Sequence, residues 1–214
     1  MGKIVDETNN QILKSKGRFE NDVQIEPGAK IYPNVYFIGK CKVGSDTKIY
    51  PFSTIENSEI GKDCEIKSSH IENSVIGNNV KIGPFAHLRP GSNIGDDCKL
   101  GNFVEVKNST LKNGTKAAHL SYIGDAEIGE NCNIGCGVIF ANYNGKTKSK
   151  TIVEGGCFIG SNSNLIAPVV VKSHTYICAG TTLTQNTQPY DFVIGRSREV
   201  IKPLRSQNYL KGEN

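Results

Sequence analysis

The feature that most constrains this chain is a ladder of aliphatic residues spaced six apart. Ile25, Ile31, Phe37, Val43, Ile49 and Ile55 open it. A five-residue step leads to Ile60 and Ile66, and two more reach Ile71 and Ile76. The six-residue spacing resumes through Ile82, Leu88, Ile94, Leu100 and Val106. Past a step to Leu111 the frame continues at Ala117, Ile123, Ile128, Ile134 and Phe140, and after a gap it returns as Ile159, Leu165, Val171, Ile177 and Leu183. This period is neither that of an amphipathic helix nor the alternation of a half-buried strand. It is the mark of a hexapeptide β-helix, in which short strands turn corners around a central column. Three hexapeptides make one triangular coil, and each coil stacks its aliphatic residues on those below. A glycine commonly follows the aliphatic position, as in VGSD, IGKD, IGNN, IGDD, IGEN and IGSN. Glycine, Asn and Asp are therefore expected to take the strained turns.

Composition agrees with a turn-rich, all-β chain: 23 of 214 residues are Gly and none is Trp. With 25 basic and 21 acidic residues, the net charge of +4 is too small to point to nucleic acid. The start, MGKIVDETNN, has no apolar leader segment, and the apolar run LIAPVVV is far too short to span a bilayer. The seven cysteines form no CxxC pair and no zinc-spaced cluster, so reduced thiols and a cytoplasmic location are expected. Five of them, Cys41, Cys64, Cys98, Cys132 and Cys157, sit two residues before a ladder residue, where other coils carry Ala, Ser, Thr or Val. That is the place of a small, soft core residue. The expected layout is an arm over 1–20, the β-helix over 21–186 with an inserted loop at about 141–158, and a tail over 187–214.

Chemistry is sought among polar residues that the repeat does not require. His119 lies two residues past a ladder position, and Tyr122 directly precedes one. The other histidines are His70, His87 and His174, and each taken alone reads as a surface or satisfied side chain. The spacings of 17, 32 and 55 residues among the four histidines form no close pair, so no metal is expected. The inserted stretch, with Lys146, Lys148 and Lys150, is too long for a corner, and solenoids push such insertions onto a binding face.

The company of His119 is more specific. The segments GPFAHLRPGSNIG (83–95), GNFVEVKN (101–108), KAAHLSYIGDAEIGENCNIGCG (116–137), FANYNGKTK (140–148) and IGSNSNLIAPV (159–169) carry a resemblance. The chain, over roughly residues 21–204, closely resembles the C-terminal acetyltransferase domain of the bifunctional N-acetylglucosamine-1-phosphate uridyltransferase/glucosamine-1-phosphate acetyltransferase family. The resemblance implies a left-handed parallel β-helix, a homotrimer with active sites between subunits, and acetyl transfer from acetyl-CoA to the amine of glucosamine 1-phosphate. The product would feed UDP-N-acetylglucosamine synthesis for the cell wall. Carried over by position, His119 matches the general base, Arg89 and Lys107 the sugar-phosphate clamp, Tyr122 and Asn133 the sugar contacts, and Lys148 a further anion-binding lysine. For acetyl-CoA the matching positions are Cys136, Asn142, Tyr143, Ser161, Ala179 and Arg196, the last expected to serve a neighbouring subunit. Cys136 stands where many members have alanine, which a backbone contact tolerates.

These roles are chemically coherent. Imidazole is the side chain able to accept a proton near neutral pH, and base catalysis is worth roughly 10²- to 10⁴-fold. A phosphate monoester favours paired cations, with arginine giving bidentate contacts. A backbone N–H near Cys136 is the expected oxyanion donor, and Glu105 is placed to orient His119 or the substrate amine. No segment resembles the family's nucleotidyltransferase loop, so neither uridyl transfer nor a magnesium requirement is expected of this chain. Two alternatives stay open: another anionic amino sugar or nucleotide sugar as acceptor, or a non-catalytic trimerisation module.

Overall fold

The computed structural model describes residues 4–5, 19–20 and 22–209. Most of the expected arm over 1–20 lies outside the described residues. Two short strands within it, Ile4–Val5 and Phe19–Glu20, pair in parallel with Val23–Ile25 and Tyr36–Ile38.

From there the chain is a left-handed parallel β-helix. Each coil lays one short strand on each of three faces. Val23–Ile25 opens the first face, Lys30–Ile31 the second and Tyr36–Ile38 the third. The next coil begins at Cys41–Val43, stacked on Val23–Ile25. Ladder residues meet ladder residues across every rung, as in Val43 with Ile60, Ile49 with Ile66, and Ile55 with Ile71. All six are at most 2% exposed. No two- or three-residue strand could bury a side chain alone, so the column is the whole source of apolar stabilisation, at about 1.5–3 kcal/mol for each buried aliphatic.

The irregular steps have a geometric cause. Four of the five-residue steps, ending at Ile60, Ile76, Leu111 and Ile128, fall at the corner from the third face to the first. Each of these short corners places one residue in the left-handed region: Asn57, Asn73, Asn108 or Asp125, with φ between 43° and 49°. The remaining short step, to Ile71 at the corner between the second and third faces, uses Ser68 with φ 41°. The glycine after the ladder position has a different task from the one expected. At Gly61 a Cβ would lie 2.5 Å from the Gly77 carbonyl oxygen, while Asp63, with φ 57°, takes the left-handed turn. Close approach of the coils, rather than the turn, requires glycine there.

The slot two residues before the second-face ladder is fully buried and holds Thr47, Cys64, Val80, Cys98, Thr115, Cys132 and Cys157 in turn. Thr47 Oγ1 donates to the Gly61 carbonyl at 2.7 Å, Cys64 Sγ to that of Gly77 at 3.1 Å, and Cys98 Sγ to that of Lys112 at 3.2 Å. Only small residues fit here, and Thr and Cys interchange because each supplies one short donor.

Within the stretch expected as a loop, Thr151–Val153 is a first-face strand and Val153 is buried in the column. Only about residues 142–150 leave the coil. They form a tight hairpin closed by the Tyr143–Lys148 bridge, with the Asn144 side chain accepting from the N–H groups of Lys146 and Thr147. It stands at the corner from the third face to the first, where step length already varies. Past the last regular step, Phe192–Val193 adds a rung to Tyr176–Ile177 on the second face. Among the described residues no helix is long and apolar enough to cross a membrane.

Candidate active site

Two coils differ from the rest. Elsewhere the second- and third-face strands are separated by a bend. Lys99–Lys107 and Lys116–Gly124 instead run unbroken through the corner, paired from Lys99 with Lys116 to Lys107 with Gly124. Continuous pairing demands close approach, and at Gly101 a Cβ would lie 1.7 Å from the Ala118 carbonyl oxygen. The pairing sets Asn102 opposite His119 at the corner itself. His119 Nδ1–H donates to Asn102 Oδ1 at 3.0 Å, which leaves Nε2 with its lone pair on an exposed imidazole. Glu105, offered by the sequence for orienting His119, instead accepts from Arg89 Nη1 at 2.9 Å. Asn102 takes the orienting place because it is in register with His119, whereas Glu105 is in register with Tyr122.

Around the corner, on the third face, Arg89 and Lys107 directly follow the stacked ladder residues Leu88 and Val106, so they lie one rung apart. The next position in that column is Gly124, paired with Lys107. A Cβ at Gly124 would meet the Tyr122 hydroxyl at 2.4 Å, so glycine lets Tyr122 fold across the face. The hairpin brings Lys148 to Lys107, and repulsion from that neighbouring cation pulls the Lys148 ammonium below the usual lysine range. Asp125, 8% exposed, anchors the hairpin: it accepts from Asn108 Nδ2 at 2.6 Å and from Asn142 Nδ2. Burial opposes ionisation of Asp125, but those amides together with Lys107 and Lys148 hold its carboxyl below the usual range. Two lysines and an arginine thus share Asp125 and Glu105. An anionic group bound here would complete the charge balance.

A second set lies along the corner edge. Cys136, Ser161 and Ala179 each stand two residues past a second-face ladder position, as His119 does, on successive coils. The Asn162 N–H donates to the Cys136 carbonyl at 2.8 Å, and that of Gly180 to the Ser161 carbonyl at 2.8 Å, which fixes the row. Arg196 folds back to it, donating from Nη1 to the Ala179 carbonyl at 3.0 Å. Asn142 and Tyr143 lie at the opposite corner of the third face, so one chain does not bring them to this row. Asn133 stands on the second face, away from Arg89, Lys107 and Tyr122 on the third.

The sequence missed Asn102, Asn108 and Asp125. Asn108 and Asp125 fill the left-handed slot of short corners, and so read as turn residues. Asn102 was legible in retrospect, because subtracting one coil from His119 lands on it. The same arithmetic alters the view of the histidines: 17 residues is one coil, and the His70 and His87 ring centroids lie 5.1 Å apart, tilted by 44°.

Fold and repeat together define a left-handed β-helix protein of the hexapeptide-repeat class. The family model for the bacterial transferase hexapeptide (six repeats) matches residues 22–57 and 73–108. The chain is homologous to the C-terminal part of the bifunctional protein GlmU, as its motifs indicated. It is 53% identical over 183 residues to the Clostridioides difficile protein, covering 86% of this chain and 40% of that protein. It is 49% identical over 190 residues to the Staphylococcus haemolyticus protein, covering 89% and 41%. The chain thus spans about 40% of the length of the curated relatives it matches. Among solved structures, LpxA, a UDP-N-acetylglucosamine acyltransferase from Bacteroides fragilis, aligns with a TM-score of 0.51 at 21% identity, over 74% of this chain and 68% of that one. That likeness shows the shared fold.

Proposed function

We propose that this chain is an acetyltransferase that moves the acetyl group of acetyl-CoA to the amine of glucosamine 1-phosphate, as a soluble cytoplasmic enzyme. The observation that carries the reading is the oriented imidazole of His119, with Nε2 free, beside the cation cluster of Arg89, Lys107 and Lys148. The cations hold the sugar phosphate, and Tyr122 lies against the sugar. The neutral amine attacks the thioester carbonyl while Nε2 of His119 takes the proton from nitrogen. The negative charge that develops on the carbonyl oxygen is met by the Cys136 N–H, which has no acceptor among the described residues. Collapse of the intermediate expels the CoA thiolate, which takes back the proton from the imidazolium, and the amide product leaves. Acetyl-CoA would lie along the Cys136–Ser161–Ala179 edge, its anionic end toward Arg196. The separation within one chain of Asn133 from the cation face, and of Asn142 and Tyr143 from the Cys136 row, favours a homotrimer, in which a neighbour supplies what one chain lacks.

The test is thiol release from acetyl-CoA with glucosamine 1-phosphate as acceptor. His119→Ala is expected to lower kcat by about 10²-fold or more with KM little changed. Full activity in that variant, or no activity in the unaltered protein, would overturn the assignment.

A further inference from the structure

Below the cation cluster, on the same third face, the structure gathers a second group of titratable residues. Glu56 and Glu72 are partners in register on adjacent coils, and His70 lies two residues before Glu72 on the same strand. One ligand atom from each of Glu56, His70 and Glu72 lies within 4.8 Å of the other two. We propose that these three side chains form a binding site for a first-row divalent cation of the zinc class, independent of the acetyl-transfer reading.

Charge carries the argument first. Two carboxylates stacked at rung spacing repel one another. The Glu56 carboxylate has no ion pair or hydrogen bond with any described residue, and that of Glu72 has only His87, whose Nε2 lies 3.1 Å from its Oε1. The usual answer in this solenoid is a lysine, as in Lys150 with Glu127 and Lys172 with Glu154. Here no lysine answers Glu56 or Glu72; the charge of Arg89, one rung from Glu72, reaches it, but the guanidinium is hydrogen-bonded to Glu105 instead. A divalent cation would bring the Glu56–Glu72 pair to neutrality.

Donor chemistry then selects the metal. One imidazole and two carboxylates are a donor set for zinc, while the imidazole disfavours calcium and magnesium, which prefer all-oxygen shells. Three protein ligands leave the fourth tetrahedral position to water. His87 completes the arrangement from the next coil: its Nε2–H donates to Glu72, the outer-sphere contact that orients a ligating carboxylate. The register of the solenoid builds the site. Residues 56, 70, 72 and 87 are scattered in sequence, but they fall on three consecutive coils of one face. An ion there would tie two of these coils directly and the third through His87.

The experiment uses the full chain. Equilibrium dialysis against zinc should give one ion per chain, and cobalt(II) should give the intense visible absorption of a tetrahedral N/O site. His70→Ala and Glu56→Gln should each abolish both signals. His87→Ala should weaken zinc binding about 10-fold, and His174→Ala should leave it unchanged. Thermal unfolding without metal establishes that each variant is folded, and zinc should raise Tm only where the site is intact. No stoichiometric zinc binding, or binding that survives both His70→Ala and Glu56→Gln, would overturn the site.

Discussion

Asn102 and His119 are 17 residues apart in sequence and one rung apart in space, and the 3.0 Å contact between them decides which imidazole nitrogen is free. On the proposed reaction Asn102 is a positioning residue, since it acts through His119 and need not touch substrate. Replacing it by alanine leaves the imidazole in place but free to rotate and change tautomer. The expected cost is about tenfold in kcat with KM little changed, less than removal of the base itself. Asn102→Asp gives a sharper readout. A carboxylate at Nδ1 stabilises the imidazolium, so the free base appears only at higher pH, and the acid limb of the kcat/KM profile should move upward. A profile superimposable on that of the unaltered protein would show that Asn102 merely fills the corner.

At the scale of the strand and corner, position within the repeat decides the reactivity of identical side chains. Cys41, Cys64 and Cys98 are 1% exposed, and burial raises all three thiols. Cys157 is held lower by the hydrogen bond from Cys132, yet both are 1% exposed. Cys178 is buried as well, whereas Cys136 is exposed on the edge row. Thiol-specific labelling of the native chain should therefore modify Cys136 first, and Cys136→Ser should remove the fast phase. If acetyl-CoA lies along the edge, it should also protect Cys136; labelling at an undiminished rate under saturating acetyl-CoA would place the cofactor elsewhere. How far the sequence could be read divides along the same line. The ladder and the two-before slot follow from one short period, so the column of Ile25 to Leu183 and the burial of Cys41, Cys64, Cys98, Cys132 and Cys157 were legible in it. Residues that meet across rungs, such as Asn102 with His119 or Glu56 with Glu72, are one coil apart. Coil length shifts by a residue with every short corner, so these pairings emerge only once each corner is known. Val153 was hidden for a related reason: the hairpin breaks the count just before it.

Taken as one molecule, the solenoid sorts its candidate residues onto sides that a single chain cannot close. Arg89, Lys107 and Tyr122 lie on the third face, Asn133 on the second, and Cys136, Ser161 and Ala179 along the edge between them, with Asn142 and Tyr143 at the far corner. Parallel prisms packed around a threefold axis would set the second face or far corner of one chain against the edge of the next, and closed cyclic symmetry would make three equivalent sites. Light scattering should give three times the chain mass. A stricter test mixes two inactive variants, His119→Ala and Asn133→Ala, by joint refolding. If both residues of a site came from one chain, every site in a mixed trimer would carry one lesion or the other, and no activity would return. If they come from neighbouring chains, a site is whole when an Asn133→Ala chain supplies His119 and a His119→Ala chain supplies Asn133. Random mixing in equal amounts makes about a quarter of the sites whole. Recovery near that fraction would establish a shared site, and none would confine His119 and Asn133 to the same chain's chemistry.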